Sequence, residues 1–177
     1  LTTSGGTLHS IVFDQTMLAG NAVFSTGIGL ALNGAITGGY TINKTGTASS
    51  APLFIAADNR ATFSGGIVVN QGGLVFGDRI GGLPVYSASA NAGSGHVLLN
   101  PSANTWVRLA SAANIANRLF VYSNPTQISR VEMLADVDLR TVAINSRGTG
   151  ELGLGSSSWT TPIDMSLLGD GTWYLGS

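Results

Sequence analysis

Cysteine is absent from this 177-residue chain, and charged residues are scarce. Without cysteine, the chain has no disulfides, no thiolate zinc sites and no cysteine nucleophile. Only 10 % of residues are charged, with one Lys and two Glu, the residue types that usually cover the solvated faces of helices. This composition disfavours a helical bundle. A small domain without disulfides needs another source of stability, and we expect association with copies of itself.

Two classes of partner are also disfavoured by what is missing. The chain has 8 Lys and Arg against 9 Asp and Glu, so it has no basic excess with which to neutralise phosphates, and we predict no nucleic-acid partner. It has no run of about 18 apolar residues, so we predict no membrane insertion. The chain begins at Leu1 rather than Met, which we interpret as a processed product or a segment of a longer protein.

The chain is rich in glycine and in β-forming residues. Gly, Ser, Thr and Asn together make up 73 of 177 residues, yet 44 % of residues are hydrophobic, which disfavours disorder. Five Gly-Gly pairs separate short runs rich in Val, Ile, Phe, Leu and Thr. Glycine favours turns and weakens helices, so the pattern predicts an all-β chain of short strands.

Two segments predict hairpins. Apolar residues alternate over 28–32 and meet Asn33-Gly34, a strong local signal for a two-residue turn. Near the end, Gly169-Asp170-Gly171 lies between two apolar runs and predicts a terminal hairpin.

The clearest predicted strand runs over residues 130–143, where apolar and polar residues alternate strictly. Its polar face carries Glu132, Asp136 and Asp138. The last two would lie about 7 Å apart, within the roughly 6.5–9.5 Å of an inverting glycosidase pair. Neighbouring arginines explain the same residues as a ladder of opposite charges, which we favour. We therefore predict no catalytic residues and no enzyme.

An internal repeat is weak. Residues 22–28 match residues 61–67 at five of seven positions, but two copies fall short of the three or more expected of a solenoid. The halves differ in composition. We expect a Gly-rich shaft-like region over 1–82 and a β-rich distal region over 83–177, which holds all three Trp. The boundary between these two regions is not sharply defined by the sequence.

Motifs for cofactors and metals are not convincing. Residues 148–153 match the pattern G-x-G-x-x-G, but no helix follows to hold a pyrophosphate, and we interpret them as a turn. His9 and His96 have no nearby carboxylate or histidine at ligand spacing. The sequence therefore predicts no cofactor and no metal.

Aromatic residues of the second half are candidates for glycan binding. Aromatic rings stack on sugars, and Asn and Asp side chains bind hydroxyl groups. The candidates are Trp106, Trp159, Trp173, Tyr174, Asn104 and Asp170. The alternative for each Trp is that it fills the core, which is the commoner role of a tryptophan.

Residues 61–74 resemble the shafts of bacteriophage tail fibres and tailspikes. Residues 151–159 resemble the pattern L-x-L-G-S-S-S-x-x-W near fibre C-terminal regions, although Trp159 here follows the third Ser directly. The resemblance implies an elongated, intertwined or side-by-side homotrimeric β fibre with short strands and hairpins. It implies a structural virion protein, extracellular, that contacts other tail proteins and attaches to a host polysaccharide or protein receptor. It supplies no catalytic residue.

Three alternatives stay open. A bacterial surface adhesin, such as an autotransporter passenger, shares the composition but is typically a monomeric β-solenoid. A viral capsid or decoration jelly roll fits the number of strands. A polysaccharide depolymerase would use the acidic residues near Asp136.

Overall fold

The architecture comes from a computed structural model that describes part of the chain. The described residues are 2–3, 9–11, 15–46, 51–80, 83–100, 105–115, 118–122, 129–134, 143–147, 149–154 and 172–176. For 2–3, 9–11, 79, 143–147, 149–154 and 172–176 only the backbone is described. The all-β prediction is confirmed, since these residues form strands and one 3₁₀ turn, with no α-helix among them.

The strands are short and follow one another closely along the chain. In chain order they are β1 (Thr2–Thr3), β2 (His9–Ile11), β3 (Gln15–Met17), β4 (Ala22–Thr26), β5 (Leu30–Leu32), β6 (Ala35–Thr37), β7 (Ile42–Thr45), β8 (Pro52–Ile55), β9 (Ile67–Val69), β10 (Gly72–Ile80), β11 (Leu83–Tyr86), β12 (Val97–Leu99), β13 (Thr105–Leu109), β14 (Arg118–Tyr122), β15 (Ser129–Met133), β16 (Ala143–Arg147), β17 (Thr149–Leu154) and β18 (Thr172–Gly176). The 3₁₀ turn, η1, covers Ala112–Asn114.

The strands stack into two long parallel sheets. Sheet A has the order β1-β4-β7-β9-β12-β14-β16, and sheet B has the order β18-β17-β15-β13-β10-β8-β5-β2. A third sheet, β3-β6, completes the first coils. The chain passes repeatedly from sheet A to sheet B, and the strands of these two orders pair in parallel with strands of the coils beside them, whereas β11 pairs antiparallel with β10 at the edge of the path. The fold is therefore a β-solenoid, and the eight strands of sheet B extend over roughly 34 Å.

The coils differ in length, which hides the repeat in the sequence. Ala22 is in register with Ile42, 20 residues later, whereas Leu74 is in register with Val107, 33 residues later. The match between 22–28 and 61–67 is not the coil repeat, because Ala22 lies in β4 and Ala61 lies in a turn. The inference that too few repeats are present for a solenoid is therefore wrong. Both sheets continue across residue 82.

The core lies between the sheets and is filled by alternate residues of each strand. Its members are apolar and buried, including Leu30, Leu53, Leu74, Val107 and Val131 from sheet B and Ile42, Ile67, Val97 and Leu119 from sheet A. In β15 the predicted alternation is confirmed, because Val131 and Met133 are buried while Arg130 is exposed. A single strand over 130–143 is wrong, since β15 ends at Met133 and Ala143 begins β16 in the other sheet.

The hairpin predicted at Asn33-Gly34 is also wrong. The strand before it, β5, pairs in parallel with β2 and β8, and the strand after it, β6, pairs with β3. The Asn-Gly turn bends the chain around a corner of the coil instead of reversing it. The predicted turn at 148–153 lies largely in strand β17. Residues 167–171 of the predicted terminal hairpin lie outside the described residues.

A row of buried asparagines holds one corner of successive coils together. The asparagine row consists of Asn59, Asn91 and Asn114, each at most 1 % exposed. Asn59 accepts a hydrogen bond from the Ile36 amide at 2.7 Å and donates to the Asn91 carbonyl at 2.9 Å. Asn114 donates in the same way to the Ala90 carbonyl at 2.7 Å. These amides satisfy backbone groups at corners, where the ladder of the sheets is interrupted.

Candidate functional site

Charged and aromatic side chains gather on the outer face of sheet B. The register between β10, β13 and β15 aligns Gly73, Trp106 and Arg130 in one row. The next outward row aligns Val75, Arg108 and Glu132. Successive side chains of a strand point to opposite faces, so these two rows face outward while the residues between them fill the core. We call Trp106, Arg108, Arg130 and Glu132 the sheet B patch.

The Trp106 ring packs directly against Gly73 of the neighbouring strand β10. A Cβ atom at Gly73 would lie 2.3 Å from the Trp106 ring, so a larger residue there would displace the ring from this position. The ring also packs against a small apolar cluster on the outer face, Ala31, Phe54 and Val75, which is separate from the main core. Trp106 is half-buried. It is therefore held in place on one side and accessible on another.

Arginines flank both the ring and an acidic group. The Arg108 guanidinium carbon lies 4.6 Å from the centre of the Trp106 ring, a cation–π distance. Arg108 Nε also donates to Glu132 Oε2, and Arg130 Nη1 lies 3.5 Å from Glu132 Oε1. The side chains of Arg108, Arg130 and Glu132 are 34 %, 45 % and 19 % exposed. One carboxylate is thus shared by two guanidinium groups that solvent can reach.

Tyr86 links the patch to a protruding hairpin. Strand β11 pairs antiparallel with the far half of β10, and all four of its residues are exposed. Burial opposes the charge of Arg108, but its hydrogen bond and attraction to Glu132, with a further contribution from Tyr86, raise the pKa of Arg108 above its usual value. Arg108 therefore stays charged and is oriented by two side chains.

The structure places the predicted glycan-binding residues unequally. Trp106 faces outward, so it does not fill the main core. Tyr174 occupies the same register row as Trp106, through Arg130 and Glu151, whereas Trp173 is in register with Gly150 and Ser129, in the neighbouring row. The side chains of Trp173 and Tyr174 are not described. Asn104, Trp159 and Asp170 lie outside the described residues.

Sequence reasoning missed most of the sheet B patch. The sequence analysis did not assign a site role to Arg108, to Tyr86 or to Gly73, which contacts the Trp106 ring. A signal was present in the alternation of residues 105–109, which puts Trp106 and Arg108 on one strand face. The same alternation puts Arg130 and Glu132 on one face of β15. What was missing was the pairing between coils, which brings these two strands together.

Other candidate sites find less support. Glu132 forms ion pairs with Arg108 and Arg130, as expected if the acidic residues of this segment pair with neighbouring arginines. Asp136 and Asp138 lie outside the described residues. His96 packs edge-on against Phe120, with ring centres 5.3 Å apart. Within the described ranges, no three His, Asp or Glu side chains are grouped to hold a metal ion. No helix in those ranges is long and apolar enough to span a membrane.

Comparisons with family models, with curated proteins and with solved structures find no match to this chain. A fold alone does not fix a function, because one architecture hosts many activities. Function is therefore inferred from the chemistry of the sheet B patch and from the way the coils stack.

Proposed function

We propose that this chain is an extracellular attachment segment of a bacterial surface adhesin, a β-solenoid that binds a surface glycan. The observation that carries the proposal is the stacking of the coils of a single chain around one apolar core. Such a rod can carry a binding surface away from a cell. The low charge and the many Ser, Thr and Asn residues suit an exposed surface of this kind.

A second candidate is a segment of a bacteriophage tail fibre or tailspike, assembled as a homotrimer with other tail proteins. The β10-β11 hairpin favours it, because it exposes apolar side chains that a neighbouring copy would cover. Ile80 is 62 % exposed, Leu83 is 71 % exposed and Val85 is 46 % exposed. Large exposed apolar patches commonly mark contact surfaces. In both candidates the partner is a host or cell-surface glycan.

The other two alternatives are not proposed. The strands of a jelly roll run antiparallel in two sheets, whereas in the described ranges the strands of sheets A and B pair in parallel from coil to coil, and antiparallel pairing is confined to the β10-β11 hairpin. A depolymerase would depend on Asp136 and Asp138, and Glu132, the described member of that acidic group, is engaged by arginines. We therefore propose binding without catalysis.

The sheet B patch has the parts that sugar recognition needs. Trp106 offers an aromatic surface next to the apolar cluster of Ala31, Phe54 and Val75. Arg108 and Glu132 offer a donor and an acceptor within reach of a ring that stacks there. Ligand sites commonly combine an apolar floor with a few oriented polar groups. The rigid strands β10, β13 and β15 hold these groups in fixed positions.

We expect Trp106→Leu to weaken glycan binding by at least about tenfold, because leucine still covers the apolar cluster but cannot stack on a sugar. Glycan arrays would identify the ligand, and titration calorimetry would then measure its affinity for the protein and the variant. Tyr40→Leu is the matched control, since Tyr40 is an aromatic residue, 47 % exposed, away from the sheet B patch. Equal losses in both variants, or no loss in Trp106→Leu, would contradict this site.

A further inference from the structure

We propose that the outer face of sheet A carries a second saccharide-binding surface, which lets one solenoid join two polysaccharide chains. The inference rests on the proposed function, since the ligand is again a glycan, and it adds a second site on the other side of the core. The sheet A surface consists of three rings, one guanidinium group and two carboxamides, which belong to His96, Phe120, Tyr122, Arg118, Asn70 and Asn100.

The pairing of β9, β12 and β14 sets the positions of these side chains. Val68, Leu98 and Phe120 are in register and form one outward row, because the residues before and after them on each strand are buried. Two residues to either side of this row, the same face carries His96, Asn70, Asn100, Arg118 and Tyr122. Residues of three successive coils therefore form one continuous surface.

The aromatic rings hold one another in position. Phe120 contacts both His96 and Tyr122, with ring centres 5.3 Å and 6.1 Å away and interplanar angles of 80° and 66°. Edge-to-face contacts of this kind are favoured between aromatic rings. The Arg118 guanidinium carbon lies 5.9 Å from the centre of the Phe120 ring. Phe120 and Tyr122 are half-buried on β14, which is paired on both sides, so the rings are in place before a ligand binds.

Two carboxamides supply polar groups beside the rings. Asn100 Nδ2 donates to Asn70 Oδ1 at 2.8 Å between neighbouring coils. A carboxamide has two donors and two acceptor lone pairs, and this bond uses one donor of Asn100. Sugar hydroxyl groups both donate and accept hydrogen bonds, so a carboxamide matches them in both respects. The strands of sheet A contain no Asp or Glu, so the carboxamides rather than carboxylates are the acceptors that these strands offer.

The size of the sheet A surface fits sugar rings and not a folded partner. Four residues separate His96 from Asn100 along the chain, and two strand spacings separate β9 from β14, so the surface measures roughly 13 by 10 Å. A stable protein interface buries about 800 Å² on each partner, which is several times this area. One or two pyranose rings would cover it, with a ring face over Phe120 and hydroxyl groups toward the carboxamides.

Two sites on opposite faces would make the solenoid bivalent. The core lies between the sheets, so the sheet A surface and the sheet B patch face away from each other. A short saccharide cannot reach both, but two polysaccharide chains can occupy them at once. Multivalent contacts raise overall attachment beyond the affinity of either site. The rod would therefore bridge separate chains of a surface polysaccharide.

Titration calorimetry with short saccharides counts the sites. The probes are hexasaccharides of glucose, galactose, mannose and N-acetylglucosamine. We expect one of them to bind the Trp106→Leu variant at one site per chain, and adding Phe120→Leu or Asn100→Ala to weaken that binding at least about tenfold. Thermal unfolding checks that each variant folds, and Asn100→Ala decides if Phe120→Leu does not fold. Asn33→Ala is the matched control, because Asn33 is also a half-buried asparagine but lies at the corner after β5.

The outcomes separate this inference from the proposed function. If a probe binds the parent protein but not Trp106→Leu, the sheet A surface is overturned and the sheet B patch stands. If a probe binds both equally and its binding depends on Asn100, the sheet A surface stands and the sheet B patch fails. If Asn100→Ala and Asn33→Ala have equal effects, the sheet A surface is overturned. If no hexasaccharide binds the parent protein, the sheet A surface is also overturned, whereas glycan arrays still decide on the sheet B patch.

Discussion

Gly65→Ala is expected to destabilise the protein by roughly 3–5 kcal/mol, the range of the most damaging single substitutions. Gly65 lies at the corner where the chain turns into β9. A Cβ atom there would lie 2.0 Å from the Tyr40 carbonyl oxygen of the coil beside it. The contact is with backbone, which cannot swing aside as a flexible side chain can.

Hydrogen bonds between coils fix both sides of this contact. The Ile42 amide donates to the Gly66 carbonyl at 2.9 Å, and the Ser64 amide donates to the Gly38 carbonyl at 3.0 Å. The close approach continues in the next coil, where a Cβ at Gly95 would lie 1.9 Å from the Gly65 carbonyl oxygen. An added methyl group would have to separate the coils and stretch these bonds.

Gly20→Ala is the matched control, because a Cβ atom at Gly20 would meet no atom within 4 Å. We expect a change within about 1 kcal/mol, since alanine mainly restricts the unfolded chain. Urea denaturation followed by circular dichroism measures both variants. Similar stabilities for the two would show that the corner at Gly65 is not tightly stacked.

Stability is expected to rise by about 3 kcal/mol between pH 8 and pH 10.5 because of Lys44, the only lysine of the chain. Lys44 occupies an inward position of β7, in register with Phe24 and Val69, and is fully buried. Its Nζ donates to the carbonyl oxygens of Gln71 at 2.7 Å and Thr45 at 2.9 Å. Burial lowers the pKa of Lys44 from 10.5 to about 8.

The direction of the change follows from proton binding. Between pH 8 and 10.5 the unfolded chain keeps a proton on Lys44 that the folded chain has lost, so raising the pH favours the folded state. Below pH 8 both states are protonated, and the cost of burying the charge is constant and at its largest. Above pH 10.5 both are neutral, and the cost is removed.

Lys44→Met isolates this effect from the titration of tyrosines. Methionine fills a similar volume without a charge, and replacing a buried charge by an apolar residue is often stabilising. We expect the stability of the variant relative to the parent protein to be higher at pH 7 than at pH 10.5 by about 3 kcal/mol, because only the parent has a buried group that loses its charge between these pH values. Urea denaturation at several pH values measures it. A difference that is independent of pH would show that Lys44 titrates normally.

The sequence predicted the strands better than their partners. Alternation correctly placed Val131 and Met133 inside and Arg130 outside. The same local pattern fits a strand whose partner follows a two-residue turn and a strand whose partner lies 20 residues away. Asn33-Gly34 was for this reason assigned to a hairpin, although it turns a corner of the coil. Gly65-Gly66 was correctly placed at a turn, but its close contact with Tyr40 depends on the neighbouring coil.

The candidate site was predictable only in part, since it is assembled across coils. Trp106 was a candidate on chemical grounds alone. Gly73, which contacts the Trp106 ring, is 33 residues away in sequence, and Glu132 lies 24 residues from Arg108. Coils of unequal length leave no fixed period that would have aligned these residues. The asparagine row was missed for the same reason, because Asn59, Asn91 and Asn114 are unequally spaced.

The claim that one chain closes its own core is tested most directly by its mass and shape in solution. Light scattering on a size-exclusion column, combined with small-angle X-ray scattering, gives both. We expect a monomer of 18.0 kDa that stays monomeric across a wide range of concentration, with scattering that matches a rod of stacked coils. A species of three times that mass that survives dilution would contradict the monomeric adhesin and support the trimeric tail fibre.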